Sequence, residues 1–159
     1  MMKMDKSQIT IRHAFPKDAE EILALQKIAY LSEAKIYNNF ALPPLTQTLE
    51  QILDDFKNYT VLKAVSGGII VGSVRGQLNN DGSVYIGRLM VHPDFQNNGT
   101  GTKLMNAIEA AFPRAKKFVL GTGHLSKRNL HLYHKLGYID VSSEPVDNYL
   151  MVHMEKTKN

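Results

Sequence analysis

Leu89-Met90-Val91-His92-Pro93-Asp94-Phe95-Gln96-Asn97-Asn98-Gly99-Thr100-Gly101-Thr102-Lys103-Leu104 is the stretch that decides the fold. An apolar strand runs into a turn, and an amphipathic helix starts directly after it. The turn is poor in bulk and rich in backbone N–H groups. At a helix N-terminus, amides without partners and the helix dipole favour phosphate oxygens. The segment therefore reads as an anion cradle. Glycines at 99 and 101 let the backbone approach a phosphate without a Cβ in the way. Asn97, Asn98, Thr100 and Thr102 add side-chain donors.

The rest of the chain sets bounds on what that anion belongs to. Its 159 residues, 43% of them hydrophobic, suit one domain spanning residues 1–159 with a real core. There is no cysteine. Disulfides, thiolate metal sites and a cysteine-linked acyl intermediate are thereby removed, which fits a reducing compartment. Met1 to Gln8 has no apolar core of signal-peptide length. No run approaches the roughly 20 apolar residues of a membrane span. A cytoplasmic protein without a membrane partner is expected. The net charge of +4 suits an anionic ligand. Its basic residues are scattered, and Lys116-Lys117 and Lys127-Arg128 are only pairs. Without a basic stripe or a stacking platform, nucleic acid is not an expected partner.

Working outward, Ile9 to His13 alternates like a half-buried strand. Pro16 opens a helix, with Asp18 and Glu21 as a capping pair and Ile22, Leu25, Ile28 and Ala29 as its apolar stripe. Tyr37 to Leu45 carries two prolines and reads as a loop, and Thr46 to Phe56 as a helix. Tyr59 to Val65 turns through Ser66-Gly67-Gly68 into Ile69 to Gln77. Asn79 to Gly82 is a second turn before the strand Ser83 to Val91. Thr100 to Phe112 is a helix, and Lys117 to Gly121 a short buried strand. Ser126 caps a helix that ends at Gly137. Tyr138 to Ser142 and Tyr149 to Met154 close the chain as strands. The order β-α-α-β-β-β-α-β-α-β-β implies an α/β (α+β) fold: a mixed, mostly antiparallel sheet with helices on both faces.

Three phosphate-binding motifs compete for Gly99-Thr100-Gly101. A dinucleotide fingerprint needs a glycine three residues after Gly101, where Leu104 stands. A P-loop needs a Gly-Lys-Ser/Thr that the segment lacks. The third is the pyrophosphate loop Gln/Arg-x-x-Gly-x-Gly/Ala preceded by Val-x-Pro; Val91, Pro93, Gln96, Gly99 and Gly101 match it. About thirty residues on, Asn129-Leu130-His131-Leu132-Tyr133-His134-Lys135-Leu136-Gly137-Tyr138 matches Asn-x-x-x-x-Tyr-x-Lys-x-Gly-Phe/Tyr in all but the spacing of its asparagine, four residues before Tyr133. On these motifs and its order of elements, the chain from about Ile9 to Met154 resembles the GNAT superfamily of N-acetyltransferases.

The resemblance implies a sheet of about six to seven strands whose central strand is bulged and splays from the next. It implies that backbone amides from Gln96 to Thr102 (Gln96, Asn97, Asn98, Gly99, Thr100, Gly101, Thr102) hold the pyrophosphate of acetyl-CoA. It implies that the backbone of Leu89, Met90 and Val91 pairs with the pantetheine arm like an added strand. It further implies that Asn129 hydrogen-bonds that arm and that Tyr133, a protonated phenol at neutral pH, is the general acid for the departing thiolate. The chain departs from the family at Tyr85-Ile86-Gly87-Arg88, where many members carry a glutamate as base. Glu33, His92, His124 and Asp147 are candidates elsewhere, and no spacing selects among them. His131 and His134 lie three apart on one helix, yet no third ligand is evident, so no metal is expected.

Acceptor choice would fall to Ala29 to Thr46 and Asp147 to Leu150, with a small-molecule amine or a peptide amine as partner. Exposed sheet edges are compatible with a homodimer. The reading is thus an N-acetyltransferase acting by direct transfer in a ternary complex. The alternative, prompted by the absent strand carboxylate, is a catalytically silent acyl-CoA-binding or sensing module.

Overall fold

The computed structural model describes residues 8–158. The segment Met1 to Ser7, read above for a leader, lies outside the described residues. The chain runs β1 (Thr10–His13), α1 (Ala19–Ala29), α2 (Leu31–Tyr37), α3 (Pro43–Thr46), α4 (Leu49–Asn58), β2 (Thr60–Ser66), β3 (Ile69–Leu78), β4 (Ser83–Val91), α5 (Thr100–Ala110), β5 (Lys117–Gly123), α6 (Lys127–Lys135), β6 (Ile139–Val146) and β7 (Tyr149–Thr157). Among the described residues, seven strands form one sheet in the order β1-β2-β3-β4-β5-β7-β6. Every neighbouring pair is antiparallel except β4 with β5. That parallel pair follows from its connection: α5 crosses one face between the two strands, whereas hairpins join β2 to β3 and β3 to β4.

The sheet separates two cores, because successive strand residues point to opposite faces. On one face Leu104, Met105 and Ile108 of α5 are fully buried against Val71, Val74, Val84 and Ile86. On the other, Ile22 and Leu25 of α1 and Ile52 of α4 pack on Val61, Ile70 and Met90. Helices on both faces of a mostly antiparallel sheet are what the order of elements implied.

β4 is irregular beside β3. Ser73 pairs with Met90, but Arg75 pairs with Gly87, so β4 carries one residue more than β3 across this step. Arg88 sits in the excess at φ 51°, in the left-handed region. Pairing of β4 with β5 covers only Ser83–Tyr85 against Lys117–Val119. Past Tyr85 the two strands part, and the bulge turns the strand's second half away from its neighbour.

The structure corrects several local readings. Asp18 and Glu21 are not a capping pair. Asp18 closes a 3-10 turn over Pro16–Asp18 by accepting from the Phe15 amide at 2.8 Å, and Lys63 holds it at 3.0 Å. Glu21 reaches the sheet and accepts from the Ile70 amide at 2.7 Å. Tyr37 to Leu45 is not one loop. It begins inside α2, which ends at left-handed Asn38, and it contains the start of α3 at Pro43, where prolines are tolerated in the first turn. The next helix starts at Leu49, because Thr48 and Gln51 form a reciprocal capping box at 3.2 and 3.0 Å. Ser126 precedes α6 without capping it; its hydroxyl is engaged elsewhere, as described below.

Asp18 gives the fold a pH dependence. Burial opposes its charge, but the Phe15 amide and Lys63 more than offset that, and its pKa lies below the ordinary carboxylate value. A depressed folded-state pKa contributes stability above the unfolded-state pKa and loses it as pH falls through the folded one. Asp18→Asn is therefore expected to lower Tm at pH 7 and to flatten the loss of Tm on acidification, measured by thermal denaturation from pH 7 to 3.

Candidate active site

The turn after β4 is built from short-range bonds. Pro93–Phe95 forms a 3-10 turn in which His92 Nδ1 accepts from the Asp94 amide at 3.1 Å, and Phe95 is buried. Asn97 at φ 64° and Gly99 at φ 84° then reverse the chain into α5. The first bond of α5 runs from the Lys103 amide to the Gly99 carbonyl at 3.0 Å. The amides of Thr100, Gly101 and Thr102 lie ahead of it, and no side chain caps them from Gly99. The Thr100 hydroxyl turns inward and donates to Asn98 Oδ1 at 2.6 Å, so this hydroxyl holds the loop. A Cβ on Gly99 would meet nothing within 4 Å, which marks open space over the amides. A Cβ on Gly101 would come within 3.3 Å of Leu132 on α6, so its absence serves close helix packing.

From this turn a cleft follows the gap between β4 and α6. Three adjoining cavities of about 340, 220 and 180 Å³ share Leu89 and Asn129 in their walls. The first lies over the turn; its walls include Leu89, Met90, Val91, Gln96, Asn97, Gly99, Thr100, Gly101, Thr102 and Asn129. Asn98 alone of the turn-and-strand set is not in that wall. The Met90 side chain is buried in the core, so that residue offers backbone. The Leu89 carbonyl already accepts from the Tyr30 hydroxyl at 3.1 Å, and that of Val91 from Gln96 Nε2 at 3.4 Å. Arg128 of α6 also bonds Gln96 Oε1 across the cleft mouth.

The third cavity, at the far end of the cleft, contains Tyr133. Tyr133 is buried and meets Tyr138 edge-on, with ring centroids 5.9 Å apart. Burial drives its pKa well above that of a free phenol, and Tyr30, Glu33 and Tyr85 push it in the same direction. Glu33 of α2 lines this cavity and the one before it. Its carboxylate accepts from the Ser126 hydroxyl. The Tyr37 hydroxyl accepts from the Leu125 amide at 3.0 Å and lies 2.6 Å from Ser126 Oγ. With Ser126 donating to Glu33, Tyr37 donates to Ser126, and a chain Tyr37–Ser126–Glu33 results. Gly123 makes room for it: a Cβ there would collide with the Tyr37 hydroxyl.

Of the four base candidates, Glu33 is the one the fold brings to the cleft. His124 Nδ1 accepts from the Leu150 amide at 3.0 Å, and Asp147 forms the left-handed turn between β6 and β7. His92 is engaged within its own turn. None of these three lines the three cavities. The two segments expected to choose the acceptor do meet: Asn148 Nδ2 donates to the Tyr37 carbonyl at 2.6 Å, and the Tyr37 and Tyr149 rings lie 4.9 Å apart. Tyr85 and Arg88, which the sequence marked only as the stretch lacking a glutamate, and Met151, which it did not mark, are also in the wall of the third cavity. His134 pairs with Asp140 at 2.8 Å. Among the described residues no three His, Asp or Glu side chains cluster as a metal would require. No described helix is long and apolar enough to cross a membrane.

Residues 26–158 match the family model described as the acetyltransferase (GNAT) domain. The chain belongs to this acetyltransferase family. As a GNAT acetyltransferase it is an acyltransferase. Solved structures share its fold at low identity. PaiA N-acetyltransferase from Thermoplasma acidophilum, in complex with coenzyme A, has a TM-score of 0.79 at 16% identity, over 95% of this chain and 99% of that one. The ribosomal-protein-S18-alanine N-acetyltransferase from Escherichia coli gives 0.78 at 15%, over 94% of each chain. YncA, a putative acetyltransferase from Salmonella typhimurium with acetyl-CoA, gives 0.76 at 19%, again over 94% of each. A search of curated proteins found none that matches this acetyltransferase.

Proposed function

We propose that this GNAT acetyltransferase moves the acetyl group of acetyl-CoA to a primary amine by direct transfer in a ternary complex. The observation that carries the reading is a single cleft with uncapped helix amides at one end and a tyrosine beside a carboxylate at the other. The amides of Thr100, Gly101 and Thr102, under the open space at Gly99, suit a diphosphate. The backbone from Leu89 to Val91 and the Asn129 side chain lie along the path of the pantetheine arm. PaiA and YncA, which share the fold, hold coenzyme A and acetyl-CoA.

In the reaction the amine nitrogen bonds to the thioester carbonyl carbon, the carbon–sulfur bond breaks, and one proton leaves nitrogen while another reaches sulfur. Glu33 takes the proton from the amine, directly or through water. Ser126 and Tyr37 orient its carboxylate by the donated hydroxyls. Tyr133 gives the proton to sulfur. A phenol is protonated at neutral pH, and burial of Tyr133 favours that form further. Glu33 supplies from α2 the carboxylate that the strand before the loop lacks, so the silent-module reading loses the observation that prompted it.

Tyr133→Phe keeps the ring packing on Tyr138 and removes only the hydroxyl. It is expected to lower kcat at least tenfold, the low end for lost acid catalysis being about 10²-fold where water does not substitute. The affinity for coenzyme A, measured by calorimetry, stays within about threefold. An unchanged kcat in a thiol-release assay with acetyl-CoA and an accepted amine takes Tyr133 out of the mechanism.

A further inference from the structure

Arg88 is a half-buried cation that makes no hydrogen bond or ion pair among the described residues. Its Nε is closed off from solvent and makes no hydrogen bond. Among the described residues no carboxylate is ion-paired to it. The nearby carboxylate, Asp55, is taken: it pairs with Arg75 and accepts from Gln47 Nε2 at 2.6 Å. Two guanidiniums thus share the field of one carboxylate. Burial depresses the pKa of Arg88, and the Arg75 charge adds to this. A buried charge left uncompensated is strongly unfavourable, so structures that keep one generally meet its counter-ion at that place.

The backbone supports the same conclusion. Arg88 adopts φ 51° at the step where β4 carries its extra residue. A long side chain rarely takes the left-handed region, and such strain concentrates where a ligand is gripped. The bulge puts Arg88 in the wall of the 180 Å³ cavity that also contains Tyr133 and Glu33.

We propose that the acceptor amine carries a carboxylate, that Arg88 binds this carboxylate, and that the amine then faces Glu33. The acceptor is a small amino-acid-like molecule, not a polyamine. This rests on the acyl-transfer reading above and deepens it. The guanidinium fork matches a carboxylate with two parallel hydrogen bonds, and in a desolvated wall that match discriminates strongly against a neutral amide. With a carboxylate at Arg88 and an ammonium at Glu33, a zwitterion has both charges answered. A polyamine would bring a second cation against Arg88.

The test uses the full chain, acetyl-CoA and a thiol-release assay. The acceptors are α- and ω-amino acids, each matched with its carboxamide, together with spermidine. At least one amino acid is expected to exceed its carboxamide tenfold or more in kcat/KM. Arg88→Gln is expected to abolish that preference through KM, and Arg88→Lys to recover part of it. Calorimetry with coenzyme A should give the same affinity for all three proteins. The wild-type preference is a test in itself should a variant fold poorly. The proposal is overturned if carboxamides or spermidine are used as well as the amino acids. It is overturned equally if Arg88→Gln slows both members of a pair alike. It also falls if coenzyme A binds but no amino acid is acetylated. If wild-type protein gives no heat with coenzyme A, the acyl-transfer reading itself has failed.

Discussion

Glu33→Gln is expected to lower kcat by about a hundredfold or more at pH 7, the scale of a positioned general base. The substitution is nearly isosteric, and the glutamine carbonyl still accepts from Ser126 Oγ, so the Tyr37–Ser126 contacts have no reason to move. What disappears is the capacity to take a proton. Coenzyme A affinity should therefore match wild type by calorimetry, and Tm should stay within a degree or two. The deficit should also shrink as pH rises through the pKa of the acceptor amine, because a neutral amine needs less help. A structural role for Glu33 would instead lower Tm and leave a deficit that does not depend on pH. Wild-type kcat in the variant would return the base to solvent and leave Glu33 as a bystander.

How much of this was legible in the sequence differs with the range of the interactions. The turn from Gln96 to Thr102 is made by neighbours in the chain, so its glycines and the strand and helix that flank it could be read locally. The hairpins were legible for the same reason. Glu33 was not selected because its partners, Ser126 and Tyr133, lie about a hundred residues away and reach it only through the packing of α2 against the start of α6. Asp18 and Glu21 misled for a related cause. Their spacing fits a cap, but a lysine on β2 and an amide on β3 compete for the same oxygens. Tertiary contacts override short-range propensity in such places. Arg88 looked like a departure from a family pattern. Its meaning came from the bulge, which no local pattern encodes, and from the prior claim of Arg75 on Asp55.

The cradle itself is tested by Gly99→Val, which is expected to weaken coenzyme A binding a hundredfold or more in calorimetry. Two effects combine. Gly99 stands at φ 84°, where a β-branched residue is strained, so the turn tends to relax and carry the Thr100 to Thr102 amides out of line. The new side chain also projects into space where no protein atom lies within 4 Å, which is where the diphosphate would rest. Hydrogen bonds to a charged group contribute about 1.5–3 kcal/mol each, so losing one or two accounts for the hundredfold. Strain alone would also cost stability, and Gly68→Val isolates that part. Gly68 has φ 79° and equally open surroundings, but it turns the β2–β3 hairpin and lines none of the three cavities. The two variants should lose similar Tm, and only Gly99→Val should lose coenzyme A. Equal affinity in both, at wild-type strength, would mean that the anion does not sit on the head of α5.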